Sequence, residues 1–135
     1  MTLIIKRPVV LKNIVTPAFK EQLTTELEQT IRQIDAWLEQ EEFQSRRLIA
    51  DAQKQDPRRA NQLRENIKQE RQRQEQVRNN LEQKLNQVKQ LEVGSVFISG
   101  TYDSPVKVEV GADIRDLLTQ AEIVVKDGIV VKVIE

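Results

Sequence analysis

Two long runs of regularly spaced apolar residues lie on either side of Asp56-Pro57, and both step by three and four residues. This spacing is typical of helices that pack along one seam. Positions equally far from the turn match one another. The matched pairs are Ala52–Leu63, Leu48–Ile67, Leu38–Val77, Ile34–Leu81, Leu27–Val88 and Thr24–Leu91. The pattern therefore predicts two antiparallel helices from one chain, joined at residues 55–58.

The polar interruptions of the two runs obey the same pairing. They form two predicted polar layers, Glu41 with Gln74 and Ser45 with Glu70. One position outside the seam, the predicted ion pairs are Asp35–Arg78 and Glu42–Arg71. A shift of one heptad would place these polar groups against leucine and isoleucine, which is unfavourable. The polar layers thus favour a single register, and they are expected to make the hairpin beyond them open more easily than its base.

The helix ends are marked by local signals. Asp56 suits a helix N-cap, and Pro57 suits the first helical position, where its missing N–H costs nothing. Thr16-Pro17 repeats this start, and Gly94 is a natural stop. The predicted helices run from about Pro17 to Gln55 and from Pro57 to Glu92.

The two ends of the chain are rich in β-forming residues. Residues 2–15 form one strand or two, with Pro8 excluding a central position throughout. Runs at 95–102 and 106–110 flank Asp103-Ser104-Pro105, which predicts a hairpin or a sharply bent strand. Asp113 is expected to cap a short helix, and Asp127-Gly128 predicts a tight hairpin turn. The fold class is therefore α+β: a long antiparallel coiled-coil hairpin, residues 16–93, inserted in a small antiparallel β domain built from residues 1–15 and 94–135.

The C-terminal third carries motifs of a known family. They are Gly94-Ser95, Gly100, the run Val106–Gly111 followed by Asp113, and the run Ile123–Val131 around Asp127-Gly128. In these motifs the chain resembles the YlqD family, bacterial proteins with a helical hairpin between β segments. The resemblance implies the same fold here, and it carries over no catalytic or binding residue.

Composition argues against catalysis. The chain has no histidine and no cysteine, so the commonest general bases, nucleophiles and metal ligands are absent. No glycine-rich phosphate loop or nucleophile elbow occurs. We therefore expect no catalytic residue, no cofactor and no metal site. No apolar run approaches the length of a membrane span, so a cytoplasmic protein without membrane contact is expected.

Self-association is expected from the strands. The runs at 123–125 and 129–131 are apolar on both faces, and so small a β domain has little core of its own. A homo-oligomer formed through the β domain would cover these faces. The first helix adds candidate self-association residues outside the seam: Ala36, Trp37, Phe43 and Ala50. The alternative is that these are ordinary exposed side chains.

Charge is unevenly distributed although the net charge is zero. Residues 44–78 hold ten basic and five acidic side chains, whereas residues 20–43 hold two and seven. Beyond the two predicted ion pairs, the candidate contacts to RNA or a protein partner are Arg46, Arg47, Lys54, Arg58, Arg59, Arg64, Lys68 and Arg73. The alternative is a solvated charged face.

Three functions follow as hypotheses. The first is a non-catalytic oligomeric scaffold or adapter whose projecting hairpin contacts a protein or ribonucleoprotein partner. The second is a prefoldin-like holdase chaperone, which requires exposed apolar groups near the hairpin tip. Only Ile49 meets that requirement if Leu48, Leu63 and Ile67 pack in the seam. The third is a carboxylate-dependent enzyme of unknown reaction.

Overall fold

The computed structural model describes residues 1–135. The elements, in chain order, are β1 (Leu3–Ile14), α1 (Pro17–Gln55), α2 (Pro57–Lys89), β2 (Val96–Val108), α3 (Ile114–Leu118), β3 (Ala121–Lys126) and β4 (Ile129–Ile134). The α+β class is confirmed: α1 and α2 form a hairpin, and both chain ends contribute strands to one four-stranded sheet. Residues 22–90 form one compact unit, the hairpin unit. Residues 1–21 and 91–135 form the other, the sheet unit.

Both long helices begin at the predicted caps. The Asp56 carboxylate accepts a hydrogen bond from the backbone N–H of Arg58 at 3.1 Å, and Pro57 is the first residue of α2. The Thr16 hydroxyl accepts one from the N–H of Phe19 at 3.1 Å. That hydroxyl also donates to Asp127 at 2.6 Å, which ties the start of α1 to the β3–β4 turn. Each cap satisfies an N–H that the helix itself leaves without a partner.

The sheet is mixed, in the order β2-β1-β3-β4. The pairs β1–β2 and β3–β4 are antiparallel, but β1 pairs with β3 in parallel from Val9 to Asn13. The predicted all-antiparallel arrangement is wrong at this pairing. The segment containing α3 carries the chain past β1, so that β2 and β3 lie on opposite sides of it. Because β3 starts its pairing at Val9, β1 is central only after Pro8, in agreement with the limit that this proline sets.

β2 is one continuous strand, which corrects the predicted hairpin or sharp bend at 103–105. Asp103, Ser104 and Pro105 pair in register with Pro8, Arg7 and Lys6. β2 lies at the edge of the sheet, where Pro105 can leave one side unpaired without breaking a central ladder. The irregularity lies instead at Ser99, an extra residue opposite the Leu11–Lys12 step.

The two remaining local predictions are confirmed. Asp127 and Gly128 have φ of 49° and 81°, as a two-residue turn with both central residues left-handed requires. Asp113 caps α3 by accepting from the N–H of Arg115 at 3.0 Å. The Arg115 guanidinium and this backbone hydrogen bond together lower the pKa of the Asp113 carboxyl below its ordinary value.

Candidate functional site

The seam of the hairpin unit is buried unevenly. The buried apolar residues are Leu27, Ile31, Leu38, Leu85 and Val88, together with Ala60 near the turn. Leu48 is 57% exposed and Val77 is 42% exposed, although both were predicted to pack in the seam. Ile49, predicted to be free, is half-buried instead. The predicted pairs Leu48–Ile67 and Leu38–Val77 are therefore wrong in their assignment of burial to Leu48 and Val77.

Helix geometry explains the error. A strict seven-residue step rotates by about 20° per heptad around a straight helix. The column Leu27, Ile34, Glu41, Leu48 turns away from the seam in this manner, and its exposure rises from buried to exposed along the chain. The column Leu63, Glu70, Val77 does the same in α2. A strict seven-residue step would continue this column to position 84, but the buried seam residue there is Leu85.

The polar layers find hydrogen-bond partners inside each helix. Ser45 is buried, and its hydroxyl donates to the carbonyl of Glu42 at 3.2 Å. The Gln74 amide donates to the Glu70 carboxylate at 3.3 Å. Ser45, Glu70 and Gln74 therefore interrupt the apolar seam with their polar groups hydrogen-bonded, and they contribute little hydrophobic stabilisation.

Both predicted ion pairs form between the helices. The Arg78 guanidinium binds the Asp35 carboxylate through Nε and through Nη2, the latter at 3.2 Å, and this carboxylate raises the pKa of Arg78. Arg71 lies 3.9 Å from Glu42 and donates to the carbonyl of Leu38 at 3.4 Å. A pair Lys89–Glu28 at 4.0 Å and a hydrogen bond from Arg64 to Gln53 at 3.2 Å lie along the same flank. We call this flank the ion-pair side.

The opposite flank has a different chemistry. Shallow grooves between the helices are lined there by Trp37 with Thr30 and Gln33, and by Leu48 with Asn66 and Gln62. The larger groove, about 390 Å³, has an apolar floor that includes Leu48, Ala52 and Leu63. Arg59 also lines this groove. Val77 comes five full helical turns after Arg59 in α2, so the two side chains face the same side of the helix. We call this flank the amide side, after the glutamine and asparagine side chains that line both grooves together with apolar residues.

The eight candidate basic residues divide into two groups. Arg46 pairs with Glu42 at 2.8 Å, Arg73 pairs with Glu70 at 3.0 Å, and Arg64 binds amide oxygens of Gln53 and Asn61. The side chains of the other five make neither a hydrogen bond nor an ion pair; these are Arg47, Lys54, Arg58, Arg59 and Lys68. All five are exposed. The distal part of the hairpin therefore retains uncompensated positive charge.

The candidate self-association residues of α1 are exposed but lie in two places. Ala36, Phe43 and Ala50 face away from the seam, and Phe43 is 74% exposed. Trp37 lies instead on the amide side and is 37% exposed. These residues thus belong to two separate surfaces.

The sheet unit exposes apolar strand residues. All six residues of β4 are exposed, and five of them are isoleucine or valine. β4 is an edge strand, so its outer backbone groups have no strand partner. An exposed apolar edge strand is a site where another strand can pair.

The structure contains no group of acidic side chains placed to hold a metal ion. It also has no helix that meets the length and hydropathy required to cross a bilayer.

Comparison with known proteins identifies relatives of the whole chain. A crystal structure of a protein of unknown function from Synechococcus sp. WH 8102 is similar, with 28% sequence identity and a TM-score of 0.87. The similarity covers 100% of this chain and 96% of that one. No curated protein sequence matches. The model of the family described as YlqD protein matches residues 3–134, nearly the full length, and the chain therefore belongs to the YlqD family.

Proposed function

We propose that the protein is a non-catalytic scaffold that self-associates and whose hairpin docks onto a ribonucleoprotein partner. The observation that carries this proposal is the set of five exposed cations without a side-chain partner in the distal part of the hairpin, which is positive overall. Such cations bind phosphate by releasing counterions, without reading base sequence. Residues 44–78 hold ten basic and five acidic side chains, so the segment is positive overall, and one of these acidic groups, Glu70, is paired with Arg73.

The arrangement of these cations suits a phosphate-lined groove. Lys54 and Arg58 flank the turn; Arg47 lies about 10 Å further along α1 and Lys68 about 15 Å further along α2, at a rise of about 1.5 Å per residue. At each level one cation is on α1 and the other is on α2. A hairpin end with charge on both helices can meet phosphates on two opposing strands, whereas a flat surface would need its charge on one face.

The test is binding to a fluorescein-labelled RNA duplex of about 20 base pairs with an internal loop, followed by fluorescence anisotropy. With four or five phosphate contacts, we expect the affinity to fall roughly 100-fold or more between 50 and 200 mM salt. The double variant Lys54→Glu, Arg58→Glu, which changes the two cations that flank the turn, should lose most of the affinity and flatten the salt dependence.

The matched control has the same change in charge elsewhere. Arg32 and Lys107 are exposed and far from the turn in sequence, so Arg32→Glu with Lys107→Glu should bind as the wild type does. Equal losses in both double variants, or an affinity that does not respond to salt, would contradict RNA docking by the hairpin end.

A second candidate, a prefoldin-like holdase, gains one observation. Leu48 and Phe43 are exposed in the distal part of α1, where a holdase needs apolar contacts. Suppression of the aggregation of an unfolded client, insensitive to salt and lost in Leu48→Ser with Phe43→Ser, would favour this function over RNA docking.

A further inference from the structure

We infer that the amide side of the hairpin is a self-association surface, and that its occupant is the amide side of a second copy. In this arrangement the two hairpins are related by a two-fold axis parallel to the helices, with α1 of each against α2 of the other. The inference deepens the proposed scaffold function, because it names a surface through which copies assemble.

The two flanks of the hairpin differ in how they use charge. Five cross-helix polar contacts lie on the ion-pair side, and three of them join opposite charges. The amide side carries uncharged polar groups and exposed apolar side chains, and it has fewer cross-helix ion pairs; Asp51 and Arg59 are the charged groups that line its larger groove. Its amides are Gln33, Gln44, Gln55, Gln62, Asn66, Gln69 and Asn80. Amides beside apolar groups can be desolvated at a much lower cost than charges, which favours a protein partner over a phosphate backbone on this side.

The apolar groups on the amide side are self-complementary. Asp35, two residues before Trp37, pairs with Arg78, one residue after Val77. Trp37 and Val77 therefore lie at the same level of the hairpin. A two-fold axis parallel to the helices preserves levels and exchanges α1 for α2. It therefore places Trp37 of each copy on Val77 of the other, forming two equivalent contacts. The groove that Leu48 lines lies between the two helices, so the same axis places this groove opposite the corresponding groove of the other copy.

Apolar contacts distinguish this arrangement from the antiparallel one. An antiparallel two-fold that seats Leu48 on Trp37 takes Trp37 away from Val77, whereas the parallel axis keeps both Trp37–Val77 contacts. The parallel axis also brings Glu41 of one copy to the level of Arg73 of the other, which is paired with Glu70 of its own chain. Because it sets the basic distal segments of the two copies, residues 44–78, side by side, added salt should strengthen the dimer.

The available area is sufficient for a stable dimer. One side of a two-helix hairpin about 50 Å long and about 20 Å wide offers roughly 1,000 Å². Two copies would bury about 2,000 Å² in total, at the upper end of the range for specific interfaces.

Trp37 is the single tryptophan and reports on this surface directly. We expect acrylamide quenching of its fluorescence to decrease as protein concentration rises, in parallel with dimer formation in sedimentation velocity. Val77→Glu and Leu48→Glu should each raise the dimer dissociation constant at least tenfold and restore quenching. Ala36→Glu, on the opposite face of α1, should leave both measurements unchanged. Leu48 is already exposed, so a folding defect seen for Val77→Glu by circular dichroism would leave Leu48→Glu as a valid test.

The orientation is tested with mixed single-cysteine chains, because the chain has no cysteine of its own. Glu41→Cys mixed with Arg73→Cys should form the mixed disulfide, whereas Arg73→Cys linked only to itself would contradict the parallel two-fold. A monomer at all concentrations would overturn this inference and the proposed self-association together. A dimer that Val130→Glu in β4 dissociates but Val77→Glu does not would overturn the inference alone, since it assigns assembly to the sheet.

Discussion

Replacing Val88 by aspartate is expected to unfold the base of the hairpin at neutral pH. Val88 is only 1% exposed and is among the most completely buried side chains of the molecule. An aspartate there would bury a carboxylate without a designed partner, at a cost above about 3 kcal/mol. Domains of this size are stable by roughly 5–15 kcal/mol, so the change removes a large share of the total.

The measurement is urea unfolding followed by circular dichroism at 222 nm. Gln87→Asp, on the exposed neighbour, is the control and should change stability by less than about 0.5 kcal/mol. Val88→Thr, which replaces one methyl group by a hydroxyl, should fall between the two. Burial raises the pKa of the new carboxyl in the folded state, so the deficit of Val88→Asp relative to Gln87→Asp should shrink at acid pH and grow as pH rises. Equal stability of the two aspartate variants would show that the helices are not packed at this level.

Amide hydrogen exchange is expected to be at least tenfold faster in the distal part of the hairpin than at its base. After Leu38 in α1 and before Leu85 in α2, the buried seam residues are Ser45 and Ala60. Few buried apolar contacts and exposed helix faces permit local opening without global unfolding. The amides of residues 24–38 and 78–88 should therefore exchange slowly, and those of residues 45–70 quickly.

Replacing the polar layer by an apolar one provides the matched variant. Ser45→Leu with Glu70→Leu should extend the apolar seam and slow exchange in the distal part, because a polar layer costs stability in exchange for a defined register. Uniform protection along both helices of the wild type would contradict this assignment. An unchanged distal rate in the double variant would show that the polar layer does not limit opening.

The hairpin could be predicted well because its signals are local and repeated. Asp56-Pro57 marks the turn, and the pairs Asp35–Arg78 and Glu42–Arg71 both form where symmetry about the turn places them. Leu48 and Val77 could not be placed by the same reasoning. Their burial depends on whether the helices supercoil enough to keep a strict seven-residue step on the seam, and the apolar pattern alone does not determine that.

The sheet was less accessible to prediction because strand order depends on distant contacts. Lys12 pairs with Glu122 at 2.8 Å, and Thr16 binds Asp127, yet neither pair has a signal in the local sequence. Pro105 has the composition of a turn but lies within β2, since an edge strand tolerates proline. The exposed surfaces also emerge only from the structure: the difference between the ion-pair and amide sides requires both the register and the drift of the heptad.

Each assignment of a residue to one of these sides depends on the register of α1 against α2 within one chain. Cysteines at Ala52 and Leu63, which line one groove near the turn, test it most directly in the otherwise cysteine-free protein. Oxidation of Ala52→Cys, Leu63→Cys at low concentration should give an intramolecular disulfide and a monomer of unchanged mass on a non-reducing gel. Moving one cysteine by seven residues, as in Ala52→Cys with Glu70→Cys, should abolish the intramolecular disulfide. Crosslinks found only between chains, or equal crosslinking in the shifted variant, would contradict the hairpin and its register.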